Sequence, residues 1–229
     1  CMLRQLVTGL LDALSPPVCP GCELPYIALQ NEASFCAACA PLVERAPAGF
    51  RPPARHGAAL LYVGPVADAI RHFKYANRSE RAQQLAPLLV EAALGHAGAV
   101  DAVVPMPLHA CKLRERGWNP SALLAAPVAR ALGVPHCDPW LRRVRPTAAQ
   151  AGLSRAERER NVRGAFVAKE VRPARVLLID DVRTTSATLD EAARCLSARG
   201  HDVYTLALAW AEHDARALGA EEALERARV

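Results

Sequence analysis

Aromatic residues are scarce in this chain: Phe, Trp and Tyr make up 5% of its 229 residues. Stacking on aromatic rings is the usual sequence-tolerant source of affinity for single-stranded nucleic acid, so the composition argues against a strong stacking surface. Long hydrophobic runs are missing too, and none approaches the ~20 residues that a membrane-crossing helix needs. The first apolar segment, residues 3–14, carries Arg4 and Asp12 and lacks a small-residue cleavage site. It is expected to be an amphipathic helix rather than a signal peptide, in a cytoplasmic protein. There is no long low-complexity tract. What is abundant is aliphatic: hydrophobic residues reach 52%, which suits an Ala/Leu/Val-rich globular core rather than a disordered chain.

Acidic charge is locally sparse. Residues 142–175 hold ten Lys/Arg against Glu157, Glu159 and Glu170, a larger excess than the +5 of the whole chain. A patch of this kind suits a polyanion such as a pyrophosphate, a nucleotide or a nucleic-acid backbone. A solvated basic face is the alternative.

Four of the eight cysteines form a pattern. Cys19-Pro-Gly-Cys22 and Cys36-Ala-Ala-Cys39 are two C-x2-C knuckles separated by thirteen residues. Such knuckles close one tetrahedral site of four thiolates, which predicts a structural Zn2+ with no open catalytic position. Gly21 is expected to supply a positive φ in its knuckle. The segment is too short for a core of its own, so metal would supply folding energy. Disulfides would need an oxidising compartment, and a redox dithiol would not be duplicated. Cys111, Cys137 and Cys195 lack this spacing.

Apolar periodicity and turn signals predict helices over residues 2–14, 66–75, 81–94, 120–132 and 212–228, with strands over 58–63, 102–104, 176–179 and 203–209. Gly133 is the expected stop of the 120–132 helix. Ser154 and Glu157 fit a capping box opening a short basic helix. Strands alternating with helices argue for a parallel α/β sheet. The domain boundary falls at Pro52-Pro53, giving a cysteine module over 1–53 and an α/β domain over 54–229.

The most informative stretch is residues 175–188, RVLLIDDVRTTSAT. An apolar strand ends at Asp180 and Asp181, a turn of Thr184, Thr185, Ser186 and Thr188 follows, and a helix starts at Leu189. Ligands of open parallel sheets bind at the carboxyl ends of strands. A helix N-terminus offers unpaired N–H groups to an anion. The loop therefore suits a phosphate, and the acids suit a sugar diol or Mg2+.

These residues resemble the phosphoribosyl pyrophosphate (PRPP) motif of type I phosphoribosyltransferases. The resemblance implies that Asp180 and Asp181 are the catalytic pair facing the ribose hydroxyls. It also implies that Val182, Arg183, Thr184, Thr185, Ser186, Ala187 and Thr188 form the phosphate-binding stretch. Ser186 stands where the family usually has Gly, and Ser disfavours some of the backbone dihedrals that Gly permits.

Three further constellations follow the same resemblance. Pro107, His109, Lys112 and Arg116 are candidates for the pyrophosphate loop, or else belong to a Pro-rich loop leading into a helix. Arg145-Pro-Thr-Ala-Ala-Gln150, Leu153, Arg158 and Asn161-Val-Arg163-Gly suit a flap over an anion, or a static surface loop. Lys74, in Phe73-Lys74-Tyr75, is placed to reach a phosphate or to sit in water. In this order the motifs resemble the ComF family of competence-associated proteins. That resemblance implies a four-cysteine zinc module fused to a type I phosphoribosyltransferase fold, Mg2+ with PRPP, and a link to DNA uptake in natural transformation. Two functions remain open: phosphoribosyl transfer to an unknown acceptor, or a PRPP- or nucleotide-sensing module that binds single-stranded DNA or competence proteins.

Overall fold

Short aliphatic runs assemble into a four-stranded, all-parallel sheet of order β1-β6-β5-β2. Its strands are β1 (His56–Leu61), β2 (Ala102–Pro105), β5 (Arg175–Arg183) and β6 (Asp202–Trp210). The computed structural model describes residues 17–26, 34–51, 54–75, 78–147, 155–184 and 187–211. The helices expected over 2–14 and 212–228 lie outside these residues, as do Gln150, Leu153 and Ser154.

Helices α1 (Gly64–Tyr75) and α2 (Arg81–Ala93) join β1 to β2. Helices α3 (Ala110–Arg116) and α4 (Pro120–Leu132) follow. The antiparallel pair β3 (Leu141–Arg143) and β4 (Phe166–Ala168) encloses α5 (Arg155–Val162). Helix α6 (Ala187–Ser197) joins β5 to β6.

The sheet is covered on both faces. Leu177 and Ile179 of β5 pack with Ile70, Phe73, Leu89 and Leu124. The intervening Val176 and Leu178 pack with Leu141, Phe166, Leu189 and Leu196. Alternation across the strand with apolar cover on each side explains why β5 reads as an unbroken hydrophobic run. Helix α4 lies on the first face and α6 on the second. Between α4 and β5 the chain crosses to the second face, where β3 and β4 pack beside α6, and the carboxyl end of β5 is where open parallel sheets take their ligands.

The strand expected to stop at Ile179 instead runs through both acids to Arg183. Asp180 is in register with Ala207, Val182 with Ala209 and Arg183 with Trp210. The long β6 supplies backbone partners that a local reading of charge does not reveal. Of the two readings left open for the segment after β2, the second holds: the Pro-containing loop leads into α3. His109 caps it, with Nδ1 accepting from the Cys111 amide at 3.3 Å, and Gly117 ends it at φ 80°. Gly133 ends α4 at φ 69°, as expected.

The cysteine module rests on α1 and α2. Cys19, Phe35 and Cys39 are buried in the same apolar cluster as Phe73 and Leu85. Gln84 Nε2 donates to the Val18 carbonyl at 2.9 Å, and Arg81 Nη1 donates to the same oxygen. Gly21 does not take the positive φ expected of it; Glu23 does, at 58°. Gly21 is needed for space instead: a Cβ there would meet Pro65 Cβ at 2.8 Å. Residues 44–46 then run beside β1, with Leu61 N donating to Glu44 O at 2.8 Å and Ala46 N to Ala59 O at 3.1 Å.

Candidate functional site

The acidic pair lies near the carboxyl end of β5, where α1 and α4 reach it. Asp180 Oδ1 accepts from Ser121 Oγ at 3.0 Å, at the start of α4, and from the Asp181 amide at 2.9 Å. Asp181 is buried and forms an ion pair with Lys74 of α1, Nζ to Oδ1 2.7 Å. Burial and then the adjacent Asp181 charge push Asp180 up to about 7, against the pull of Lys74, the Asp181 amide and Ser121. Burial opposes the charge on Lys74, yet the Asp181 charge and hydrogen bond, helped by Asp180, raise its pKa overall. Asp180 is therefore poised to exchange a proton near neutrality, beside a permanent cation.

A cavity of about 380 Å³ opens over the pair, lined by Lys74, Tyr75, Arg143, Thr147, Arg183, Thr184 and Thr188 as well as the acids. Its volume suits a small molecule, for which sites run roughly 300–1,000 Å³. Arg143 hydrogen-bonds Thr147 Oγ1 and lies over the Phe166 ring at 5.5 Å. Burial and then Arg145 lower its pKa, and Asp180 opposes them. Arg183 stands over the Phe50 ring at 5.7 Å. An acidic floor with cations at the wall can hold a group that is neutral or cationic on one side and anionic on the other.

Of the expected phosphate stretch, Val182 packs partly buried on the first core cluster. Thr184 and Thr188 line the cavity, and Ala187 is buried in the first turn of α6. Thr185 and Ser186 lie outside the described residues. Pro107 and His109 line a second, larger cavity of about 710 Å³ with Leu113, Asn119, Leu141 and Arg142; Arg143 lines both. Lys112 is at neither, and pairs with Glu115 at 3.1 Å on the surface. Arg116 stands over the ring of Tyr75 at 5.3 Å, which puts it near the mouth of the acidic cavity.

Arg158 and Arg163 line neither cavity. Arg145 closes the base of their loop by donating to the carbonyls of Asn161 and Arg163, both at 2.8 Å. Glu191 of α6 holds the same loop by accepting from Gly164 N at 2.7 Å.

Ser121 is not among the residues expected at the site; Arg143 is expected only as part of the basic stretch and Thr147 only as part of the flap, and both line the acidic cavity. Ser121 had a usable signal. Asn119-Pro120 is an N-cap followed by Pro at the first helical position, and this puts Ser121 at a helix start. Asn119 accepts from Ser121 N at 3.1 Å and donates to Met106 O at 3.0 Å. This cap ties α4 to the chain leaving β2.

Cys19, Cys22, Cys36 and Cys39 bring their sulfurs within 4.8 Å of one another, with Cys22 and Cys36 3.7 Å apart. A tetrahedral ion bound at about 2.3 Å needs sulfur–sulfur edges of about 3.8 Å, so the four thiols fit one metal ion. Cys111, Cys137 and Cys195 stand outside this cluster. Among the described residues no helix is long and apolar enough to cross a membrane.

No protein-family model matches the chain. Two solved structures are among those similar to it. Glutamine PRPP amidotransferase from B. subtilis gives a TM-score of 0.42 at 21% identity, over 60% of this chain and 30% of that one. Adenine phosphoribosyltransferase from Leishmania tarentolae gives 0.38 at 13%, over 74% and 83%. Neither likeness is strong enough to carry a residue correspondence. Sequence relatives are clearer. Competence protein F of Haemophilus influenzae is 34% identical over 148 residues, 61% of this chain and 65% of that protein. DNA utilization protein YhgH of Escherichia coli (strain K12) is 35% identical over 150 residues, 61% and 64% respectively. The chain thus spans just under two thirds of the length of these relatives. On these matches the chain is a homologue of the proteins named Competence protein F and DNA utilization protein YhgH.

Proposed function

We propose that the chain is a ComF-like protein that binds Mg2+·PRPP in the cavity over Asp180 and Asp181. The observation that carries this reading is the acidic pair at the end of β5, walled by Lys74, Arg143 and Arg183 and followed by hydroxyl side chains at the start of α6. In it, Asp180 and Asp181 hold the ribose diol and its Mg2+. The stretch from Val182 to Thr188 takes the 5′-phosphate at the helix N-terminus. Lys74, Arg143 and Arg116 face the pyrophosphate, with Arg158 and Arg163 on a flap. Pro107, His109 and Lys112 extend that anion-facing loop.

Transfer would break the C1–O bond to pyrophosphate and pass through a cation-like ribose. Fixed carboxylates compensate the developing positive charge, and cations stabilise the leaving group. The protein works in the cytoplasm, organised as a metal module over 1–53 and a phosphoribosyltransferase-like domain over 54–229. The four-cysteine cluster holds Zn2+, since four thiolates in a tetrahedron favour that ion. Calorimetric titration with Mg2+·PRPP tests the site. Saturable heat in the wild type, lost in Asp180→Asn/Asp181→Asn, supports the reading; no heat in the wild type overturns it.

The names of the relatives favour a second role in handling DNA, with single-stranded DNA or competence proteins as partners. The basic stretch 142–175 would supply phosphate contacts. Binding of this kind must weaken steeply with salt, and single-stranded DNA affinity that is flat between low and moderate salt rules it out.

A further inference from the structure

Helix α1 lies between the cysteine module and the acidic pair and touches both. Pro65, in its first turn, abuts Gly21 so closely that a Cβ on Gly21 would sit 2.8 Å from Pro65 Cβ. His72, seven residues on and therefore on the same face, donates from Nδ1 to the Pro20 carbonyl at 3.1 Å. The knuckle Cys19-Pro20-Gly21-Cys22 thus lies along one face of α1. The adjoining face is locked into the core by Val66, Ile70 and Phe73, all fully buried, in a cluster that Cys19 also joins. Two residues beyond His72, Lys74 reaches Asp181 at 2.7 Å.

The last turn of a helix has unpaired carbonyls and frays unless tied down. Here Phe73 ties it on the core side and His72 ties it on the module side. Pro20 stands between two residues of the knuckle pair, so its carbonyl position depends on the closure of the four thiols. We propose that the cysteine module is a positioning device for Lys74: metal occupancy, relayed by Pro20 and His72 through α1, sets how the acidic cavity is neutralised and how tightly it takes an anionic sugar phosphate. The ligand part of this inference rests on the PRPP reading of the cavity; the Lys74 part does not.

The test uses the full chain in metal-loaded and metal-stripped forms, with His72→Ala and His72→Asn in the loaded form. Asn places an amide donor near the position of Nδ1. The first readout is the rate at which Lys74 is acylated by a trace amine reagent, with the exposed Lys112 as internal reference. The second is affinity for Mg2+·PRPP. Stripping and His72→Ala are expected to speed Lys74 labelling and weaken PRPP binding by about fivefold or more, the low end of inter-site coupling. His72→Asn is expected to restore both. If stripping unfolds the protein, the His72 variants decide alone. Unchanged Lys74 labelling in His72→Ala overturns the proposal. A loaded wild type that binds no PRPP sinks the ligand reading, while the labelling arm still decides whether the module positions Lys74.

Discussion

The amine of Lys74 and the carboxylate of Asp181 meet at 2.7 Å across the gap between the end of α1 and the end of β5. Each cancels the other's charge in a place where water has little access, so an incoming cation or diol must compete with Lys74 for Asp181. Removing one member of such a pair strands the other. Lys74→Met is expected to lower stability by about 3 kcal/mol, the lower end for breaking a buried pair. Adding Asp181→Asn should return part of that loss. Urea unfolding of the single and double variants measures it, and a loss of only a few tenths would mean that water screens the pair.

The raised Asp180 makes a pH prediction whose sign is the reverse of the usual carboxylate. Between the ordinary value of 3.8 and about 7, the folded chain holds a proton that the unfolded chain has released. This contribution is full below the lower value and is lost as pH rises through the upper one. His56 and His96, both lowered chiefly by burial, act oppositely, destabilising the fold as pH falls through 6.5 and below. The comparison with Asp180→Asn isolates the carboxylate. Relative to wild type, that variant should gain melting temperature steadily from pH 5 to pH 7.5; a constant difference would show that Asp180 titrates normally.

At Gly21 the prediction is steric. A methyl group there runs into Pro65, whereas Gly49 has open space around it. Gly21→Ala should cost about 1–3 kcal/mol, as overpacking does, while Gly49→Ala serves as the neutral control. Thermal melts of the two side by side give the answer, and equal melts would mean that the knuckle slides aside freely.

Local chemistry made parts of this fold legible. The bounds of α4 follow from Asn119 as cap, Pro120 at the first helical position and Gly133 as stop, all within one short stretch. The acidic pair stood out as well, because an apolar run followed by two carboxylates and then hydroxyl residues is a linear pattern. The end of β5 was not, since its last residues are strand only by virtue of β6. Nor were β3 and β4, three residues each, whose pairing spans a long insertion. Ser121 reaches Asp180 across 59 positions of sequence. Contacts of that kind are set by how helices lie on the sheet, which no periodicity encodes.

The cysteine cluster carries a prediction of its own. One tightly held ion per chain is expected from elemental analysis of freshly purified protein, with sulfur-only coordination by X-ray absorption. Cys39→Ser removes a buried thiol of the four-cysteine cluster packed among core residues, so it should lower the melting temperature and metal content together. Full metal content in Cys39→Ser would exclude it as a ligand.

The backbone of residues 44–46 has one more effect. By pairing with Ala59 and Leu61 it occupies the outer rim of β1, which would otherwise present a row of open donors and acceptors. Unpaired rims of that sort template the addition of foreign strands. The segment before β1 is therefore expected also to guard against self-association. A chain trimmed to start at residue 56 should elute as multimers in size-exclusion chromatography at concentrations where the full chain runs as a single smaller species.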